Sequence, residues 1–424
     1  MSFLPPDLYG FWADWIRPSA GLPTVLWSLL LAVAAAAGHL VQRYLGMPKV
    51  VGYSIVGMVV GFAGFEGAVW PLQGISLFLL ELGVAIVLFE AGGRLPLRWF
   101  RHNPRVLLQS LLEAGFTYFG VLWTLELMDV PHPVANPIAL IAMVASPAVL
   151  SRVIMDTRAS GPVTERAMTL ATLGTFYALT LGYAQAGLIE RAPLGFMQKL
   201  YPVGVVLGLS FVVGGLMALA LRSALRVMSP TSENTAILLL AIIAAGAALA
   251  AHFGGSAPLA ALIGGVLLKQ LNPKPWAWPR QLGTAASLLT MLMFVLVSIV
   301  AAGADWSLPV ASVVFTLIAV RAVAKIAGVA VANPGSGASW RQAFWVGCAM
   351  APLSSVALLI ASNFVTASPL LGAMITQVAL PAILTMELFG AVLATIAIHA
   401  AGEASRPWLP EAFGGSGGSE ETQR

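Results

Sequence analysis

Apolar residues along this chain run in blocks of about 20, the length a helix needs to cross a bilayer. Polar residues collect between the blocks. Thirteen blocks are predicted as membrane-spanning helices, at 22–42, 49–65, 72–93, 104–128, 135–156, 163–188, 199–222, 233–252, 256–270, 281–303, 308–331, 341–364 and 369–399. The connections are short and carry turn-forming Pro, Gly and Asn, as in Pro131-His132-Pro133 and Asn272-Pro273-Lys274-Pro275. The expected fold class is an all-α polytopic membrane protein with no long soluble insertion. Residues 1–21 read as an extracytoplasmic segment, and Pro5, Pro6, Asp7, Asp14 and Arg17 before the first span do not fit the basic n-region of a cleaved signal. Residues 400–424, with Gly414-Gly415-Ser416-Gly417-Gly418-Ser419, read as a flexible cytoplasmic tail.

Composition agrees. Of 424 residues, 58% are apolar and 9% charged, against about 25% charged in a soluble domain. So few charges cannot cover a water-soluble surface. The net charge of +4 does not mark a nucleic-acid binder, and the single cysteine, Cys348, excludes an internal disulfide. No cofactor, metal or nucleic-acid partner is expected; the expected surroundings are a lipid bilayer.

The basic residues encode orientation, because cytoplasmic loops are enriched in Lys and Arg. With the N-terminus outside, seventeen of the 22 basic residues fall on the cytoplasmic side, including Arg94, Arg98, Arg101 and Arg105. Arg17, Arg191 and Lys199 fall outside, and Arg321 and Lys325 lie within the eleventh span. A missed or invented span would break this alternation.

Charges inside spans are costly and are functional candidates by default. They are Glu81 and Glu90 in the third span, Glu113 in the fourth, Arg321 and Lys325 in the eleventh, and Glu387 in the thirteenth. Glu90 lies four residues before Arg94, the spacing of a structural pair at the membrane interface. Arg321 and Lys325 are also four apart, so like charges share one face and need acids, anions or water from elsewhere. His39, His252 and His399 sit near span ends and read as structural.

Two spans contain a proline near the middle. The fifth has Ala145-Ser146-Pro147-Ala148, and the twelfth has Ala351-Pro352-Leu353-Ser354-Ser355. Proline removes a helical hydrogen bond, and irregular backbone at membrane depth persists only where protein or a cavity surrounds it. Broken helices at matching places in two halves point to a site near the midplane of an inverted repeat. Seven spans apart, the fourth, fifth and sixth match the eleventh, twelfth and thirteenth, and Glu113, Arg321, Lys325 and Glu387 fall in that set. Gly57-x-x-x-Gly61 and Gly204-x-x-x-Gly208 read as helix-packing motifs.

Four segments carry a resemblance. Pro48-Lys49-Val50-Val51-Gly52-Tyr53-Ser54-Ile55-Val56-Gly57, Glu81-Leu82-Gly83-Val84-Ala85-Ile86-Val87-Leu88-Phe89-Glu90, Ala145-Ser146-Pro147-Ala148-Val149 and Ala260-Ala261-Leu262-Ile263-Gly264-Gly265 resemble the second, third, fifth and ninth spans of the monovalent cation–proton antiporter superfamily. The resemblance covers most of residues 22–399. It implies thirteen helices and a core of about 104–188 and 308–399. It also implies a dimerisation scaffold of about 22–93 and 199–303, and a homodimer working by alternating access through an elevator-like movement. The implied cargo is a proton and Na⁺ or K⁺.

The sixth span departs from the family. Antiporters of this superfamily carry an aspartate there, yet Leu170-Ala171-Thr172-Leu173-Gly174-Thr175-Phe176-Tyr177 has no carboxylate. Thr175, Phe176 or Tyr177 occupies the expected region, and a phenol gives up its proton in water only near pH 10. If exchange survives, another carboxylate must act, and Glu113 and Glu387 are the candidates. The expected ion and proton pathway is therefore Glu113, Lys325, Arg321, Glu387, Thr175 and Tyr177, beside a crossing built by Ser146, Pro147, Pro352, Ser354 and Ser355. The alternative is a transporter-fold protein without this exchange, which moves an anionic solute, conducts passively or acts as a sensor. No nucleophile–base pair or phosphate loop is visible, so an enzyme is not expected.

Overall fold

The chain was studied as a computed structural model that describes residues 22–405 apart from 66, 69, 96, 98, 99, 101, 102, 190–194, 230, 231 and 273–279. The N-terminal segment, the glycine-rich tail and Arg17, Arg98, Arg101, Arg191, Lys274, Arg406 and Arg424 lie outside the described residues. Among the described residues there are helices and no strand.

The helices are α1 (Leu22–Leu45), α2 (Lys49–Phe62), α3 (Gly74–Arg94), α4 (Pro104–Leu127), α5 (His132–Met143), α6 (Pro147–Thr157), α7 (Pro162–Ala186), α8 (Phe196–Val227), α9 (Glu233–His252), α10 (Ala257–Leu271), α11 (Arg280–Ala302), α12 (Leu308–Val331), α13 (Trp340–Ala349), α14 (Ser355–Ala367) and α15 (Pro369–Ala400). Taking α5 with α6 as one stretch, eight are long and apolar enough to cross a membrane. Large apolar side chains such as Leu127, Val227 and Leu308 stand more than four-fifths exposed on the outer surface. That surface is stable only against lipid or another apolar face.

Local chemistry explains where the helices begin. Ser232, Ser256 and Ser339 each accept a backbone N–H from three residues ahead, satisfying donors that a helix start leaves free. Ser339 and Gln342 bond reciprocally across the first turn of α13, the pattern of a capping box. The two expected breaks are present. The fifth span is interrupted at Val144–Ser146, and the twelfth from Met350 to Ser354. At the first, Pro147 opens α6 and Ser146 Oγ accepts the Val149 N–H at 3.3 Å.

Packing follows two groupings. Helix α4 lies against α12, and α5, α6, α7, α13, α14 and α15 gather around the two breaks. In the rest of the chain α3 packs on α10, α8 on α10, and α2 on α11. The Gly57/Gly61 motif serves the last contact, since β-carbons there would stand 2.6 Å from the carbonyl oxygens of Val295 and Ile299. Gly204 and Gly208 have open space before them. Residues 401–405 depart from the expected flexible tail. Ser160 donates its N–H to Glu403 O, and the Glu403 carboxylate accepts from the first amides of α7, because a helix start left without partners attracts an acceptor.

Candidate functional site

The two breaks meet. Ser146 donates its backbone N–H to Pro352 O at 2.9 Å, joining one interruption to the other. The last carbonyls of α5 and α13 therefore converge, each at the negative end of a helix dipole. Carbonyls stripped of helical partners at this depth must find donors.

Arg321 on α12 supplies them. Its Nε donates to Ala142 O at 2.9 Å, Nη2 to Val144 O at 2.6 Å and Pro352 O at 3.4 Å, and Nη1 to Ala351 O at 2.5 Å. Arg321 is 1% exposed. Its partners were expected to be acids, anions or water; they are carbonyls. Five donors in a rigid fork suit a cluster of acceptors from two chain segments. Thr175 belongs to the same device. Thr169, Thr172 and Thr180 turn their hydroxyls back onto carbonyls four residues earlier in α7. Thr175 instead donates to Ala145 O across the break at 3.0 Å.

Lys325, one turn from Arg321, pairs with Glu113 of α4, and both side chains are fully buried. Lys325 Nζ also donates to Met143 O at 3.2 Å. Helices α4 and α12 touch there because Gly328 has no side chain, and a β-carbon on it would stand 2.4 Å from Glu113 Cα. Glu113 Oε1 takes the lysine, with Thr117 Oγ1 at 3.4 Å. Glu113 Oε2 is buried and has no hydrogen-bond partner among the described residues. It faces Gly174 of α7, where a β-carbon would lie 3.6 Å from it. A carboxylate from the fourth span thus reaches the sixth beside Gly174, one residue before Thr175.

Glu387 on α15 is fully buried but pairs with neither cation. It accepts three serine hydroxyls: Ser54 at 2.5 Å and Ser298 at 2.9 Å on Oε1, and Ser354 at 2.7 Å on Oε2. Ser54 and Ser298 were not foreseen; the available signal was a lone hydroxyl in an apolar run. Tyr177 stands apart from the pair, its hydroxyl 3.0 Å from Ser110 Oγ. Ser355 is buried with its hydroxyl unpartnered, so of the two serines after Pro352 only Ser354 enters the network. Glu90 pairs with Arg94 as its spacing suggested.

A cavity of about 650 Å³ runs between α3, α6 and α7, from Arg94, Glu165 and Arg166 to Thr169 and Thr172. Its inner end is one helical turn from Thr175. At the opposite end of α7, Tyr183 is half-buried beside Asn363, Ser256 and Glu81.

The transmembrane sodium/hydrogen exchanger family model matches residues 28–400. The chain belongs to this family. The exchanger fold is also that of a sodium proton antiporter from Methanocaldococcus jannaschii, solved at pH 8, with 15% identity, a TM-score of 0.65 and coverage of 89% of this chain and 98% of that one. An electron-microscopy structure of the same antiporter gives 18% identity, a TM-score of 0.60 and coverage of 92% and 98%. No curated protein sequence matches. This member of the exchanger family is therefore an integral, multi-pass membrane protein with the fold of a transporter. Its family supports cation/proton exchange.

Proposed function

We propose that the protein exchanges protons for a monovalent cation, Na⁺ or K⁺, by alternating access, with Glu113 in the role of the absent sixth-span acid. The observation that carries this reading is the unpartnered Glu113 Oε2, buried and directed at Gly174. A dehydrated cation needs a negative oxygen, and an unsatisfied buried carboxylate oxygen is costly unless it has such a task. Lys325 supplies the exchange partner. When the cation pairs with Glu113, Lys325 gives its proton to the medium. When the cation leaves, Lys325 regains a proton and returns to Glu113. Charge balances in both states, one cation against one proton. Arg321 holds the crossing in shape and takes no part in the exchange.

An anionic cargo is disfavoured, because Arg321 is committed to carbonyls and Lys325 to Glu113. The cavity between Arg94 and Thr172 supports a conformation with access from the arginine-rich side. In this reading α4–α7 and α12–α15 form the moving core and the other helices the scaffold. The chain crosses a bacterial cytoplasmic membrane thirteen times, with the N-terminus outside and the C-terminus inside. It pairs with a second copy through scaffold helices, a role for which the open face of Gly204 and Gly208 is suited.

Proteoliposomes test the exchange. A Na⁺ or K⁺ gradient is imposed and internal pH followed. Cation-dependent proton movement that disappears in Glu113→Gln supports the reading. No such movement across roughly pH 6 to 9, where a working exchanger must protonate and deprotonate, sinks it.

A further inference from the structure

We propose that Glu387, with the hydroxyls of Ser54, Ser298 and Ser354, is a second proton-binding site, separate from the Glu113–Lys325 pair and loaded and emptied during transport. Its occupancy by a proton stands independently of the exchange reading; only its coupling to transport rests on that reading.

The four side chains come from different parts of the chain. Glu387 is on α15 and Ser354 in the break before α14, while Ser54 is on α2 and Ser298 on α11. The site therefore lies where α2 and α11 meet α13–α15, and any sliding between these groups must break the bonds to Ser54 and Ser298.

Charge decides what the site holds. A buried carboxylate without a cation is expensive in a low-dielectric interior. Glu113 has Lys325; Glu387 has only hydroxyls. The charged and titratable groups on elements packed against α15 have other partners or positions. On α12, Arg321 reaches Met386 Sδ at 3.8 Å but spends its N–H groups on carbonyls, and Lys325 holds Glu113. Tyr53 of α2 stands with Arg152 and Asp156 of α6. Asp156 also accepts the Lys49 N–H. On α13, Arg341 bonds Ala400 O and Cys348 is a free buried thiol. His132 of α5 is bound to Glu126 at the far end of that helix. No cationic side chain of the protein is left to neutralise Glu387, and its three hydroxyls already sit within hydrogen-bond distance of the carboxylate with no gap for an ion between them, so the neutralising partner in this proposal is a bound proton.

Serine suits this purpose because its hydroxyl both donates and accepts. With Glu387 ionised, all three hydroxyls donate to it. With Glu387 protonated, its own O–H donates to one serine and the others still donate. The cage fits both states without rebuilding. The spacings of 2.5–2.9 Å between serine and carboxylate oxygens are those of ordinary O–H···O hydrogen bonds, which either protonation state can make.

Infrared pH-difference spectroscopy on the full-length protein in liposomes tests the site. A protonated-carboxyl C=O band is expected to titrate across roughly pH 5 to 9 in the wild type, outside the range of a carboxyl in water. It should vanish in Glu387→Gln and persist in Glu113→Gln. In Ser54→Ala/Ser298→Ala the band should remain, with proton affinity raised about tenfold or more by the loss of two hydrogen bonds to the ionised form. The same liposomes report coupling. With one extra proton per cycle, an imposed membrane potential drives wild-type exchange and no longer drives it in Glu387→Gln. A band unchanged by Glu387→Gln, or a potential dependence that survives it, overturns the proposal. If the band titrates as expected while no cation-dependent proton movement occurs, the proton site stands and the exchange reading falls.

Discussion

Glu113 Oε2 and Gly174 face each other across the boundary between α4 and α7, with room for one β-carbon between the glycine and the carboxylate. If Glu113 does the work of a sixth-span acid, as proposed above, a carboxylate placed on α7 at this point should be exchangeable with it. Glu113→Gln is expected to abolish cation-dependent proton flux. Combining Gly174→Asp with Glu113→Ala, which clears the space, should restore a measurable part of it, because the new carboxyl then arises where the Glu113 carboxylate stood. Flux in proteoliposomes of the single and double variants is the measurement. A double variant no better than the single one would place the function of Glu113 in neutralising Lys325 alone.

The Glu113–Lys325 pair is fully buried, which makes its halves interdependent. Removing one partner of a buried pair costs about 3–5 kcal/mol because the other charge is stranded. Glu113→Gln and Lys325→Met should therefore each lower the thermal midpoint in detergent, and the double variant should recover most of the loss. Purely additive losses would show that the two charges do not depend on each other. Saturating Na⁺ or K⁺ should raise the wild-type midpoint by mass action and leave that of Glu113→Gln unmoved.

Arg321 is the joint of the crossing. Arg321→Lys keeps the charge but offers one ammonium to carbonyls that the guanidinium spans from Ala142 to Pro352. Each carbonyl left without a donor costs about 1–3 kcal/mol. The lysine variant should unfold earlier than wild type, and Arg321→Met earlier still. Equal stability of all three would mean that water or backbone rearrangement satisfies the crossing without the side chain.

These residues show what the chain discloses before it folds. Pro147 and Pro352 each remove an N–H from the helical ladder, and both breaks are where the prolines put them. The periodic apolar blocks likewise gave the helices, to within a few residues at most ends. Partner choice was not legible in the same way. Arg321 and Lys325 look equivalent in sequence, one turn apart on one face, yet one binds carbonyls and the other a carboxylate. The difference depends on which helix ends converge beside α12, a long-range fact. Ser54 and Ser298 were hidden for a similar reason: a serine in an apolar run acquires meaning only when a carboxylate 333 or 89 residues away is brought to it. Glu403 lay in a segment read as tail, and only the fold brings it to the start of α7.

The contact between α2 and α11 holds Ser298 against Glu387, so it should be sensitive to a single methyl group. In Gly57→Ala the new β-carbon would stand 2.6 Å from Val295 O and 2.8 Å from Ser298 Cβ. Both are backbone or near-backbone atoms, so α11 must move. Overpacking of this kind costs about 1–3 kcal/mol. Gly204→Ala meets nothing within 4 Å and, inside a helix, should be neutral or stabilising by up to about 1 kcal/mol. Thermal unfolding of the monomeric, detergent-solubilised variants separates the two glycine motifs. A Gly57→Ala variant as stable as Gly204→Ala would contradict the close approach.

Glu403 closes the start of α7 from outside its own helix. Its carboxylate accepts the N–H groups of Val163 and Thr164 and the Thr164 hydroxyl, each at 2.7 Å. Two backbone donors that a helix start leaves free, and one hydroxyl, are satisfied by one group, and its negative charge faces the positive end of the α7 dipole. Removing a cap of this kind costs about 1 kcal/mol. Glu403→Ala should therefore speed hydrogen exchange of the Val163 and Thr164 amides several-fold while the amides around Thr175 keep their protection. Glu403→Gln retains one acceptor and loses the charge, so its effect should fall between alanine and wild type. Hydrogen exchange read by mass spectrometry on peptides covering 158–170 resolves the three proteins. Identical exchange in all of them would show that solvent replaces the carboxylate without cost, and the segment after α15 would then be a passenger on α7.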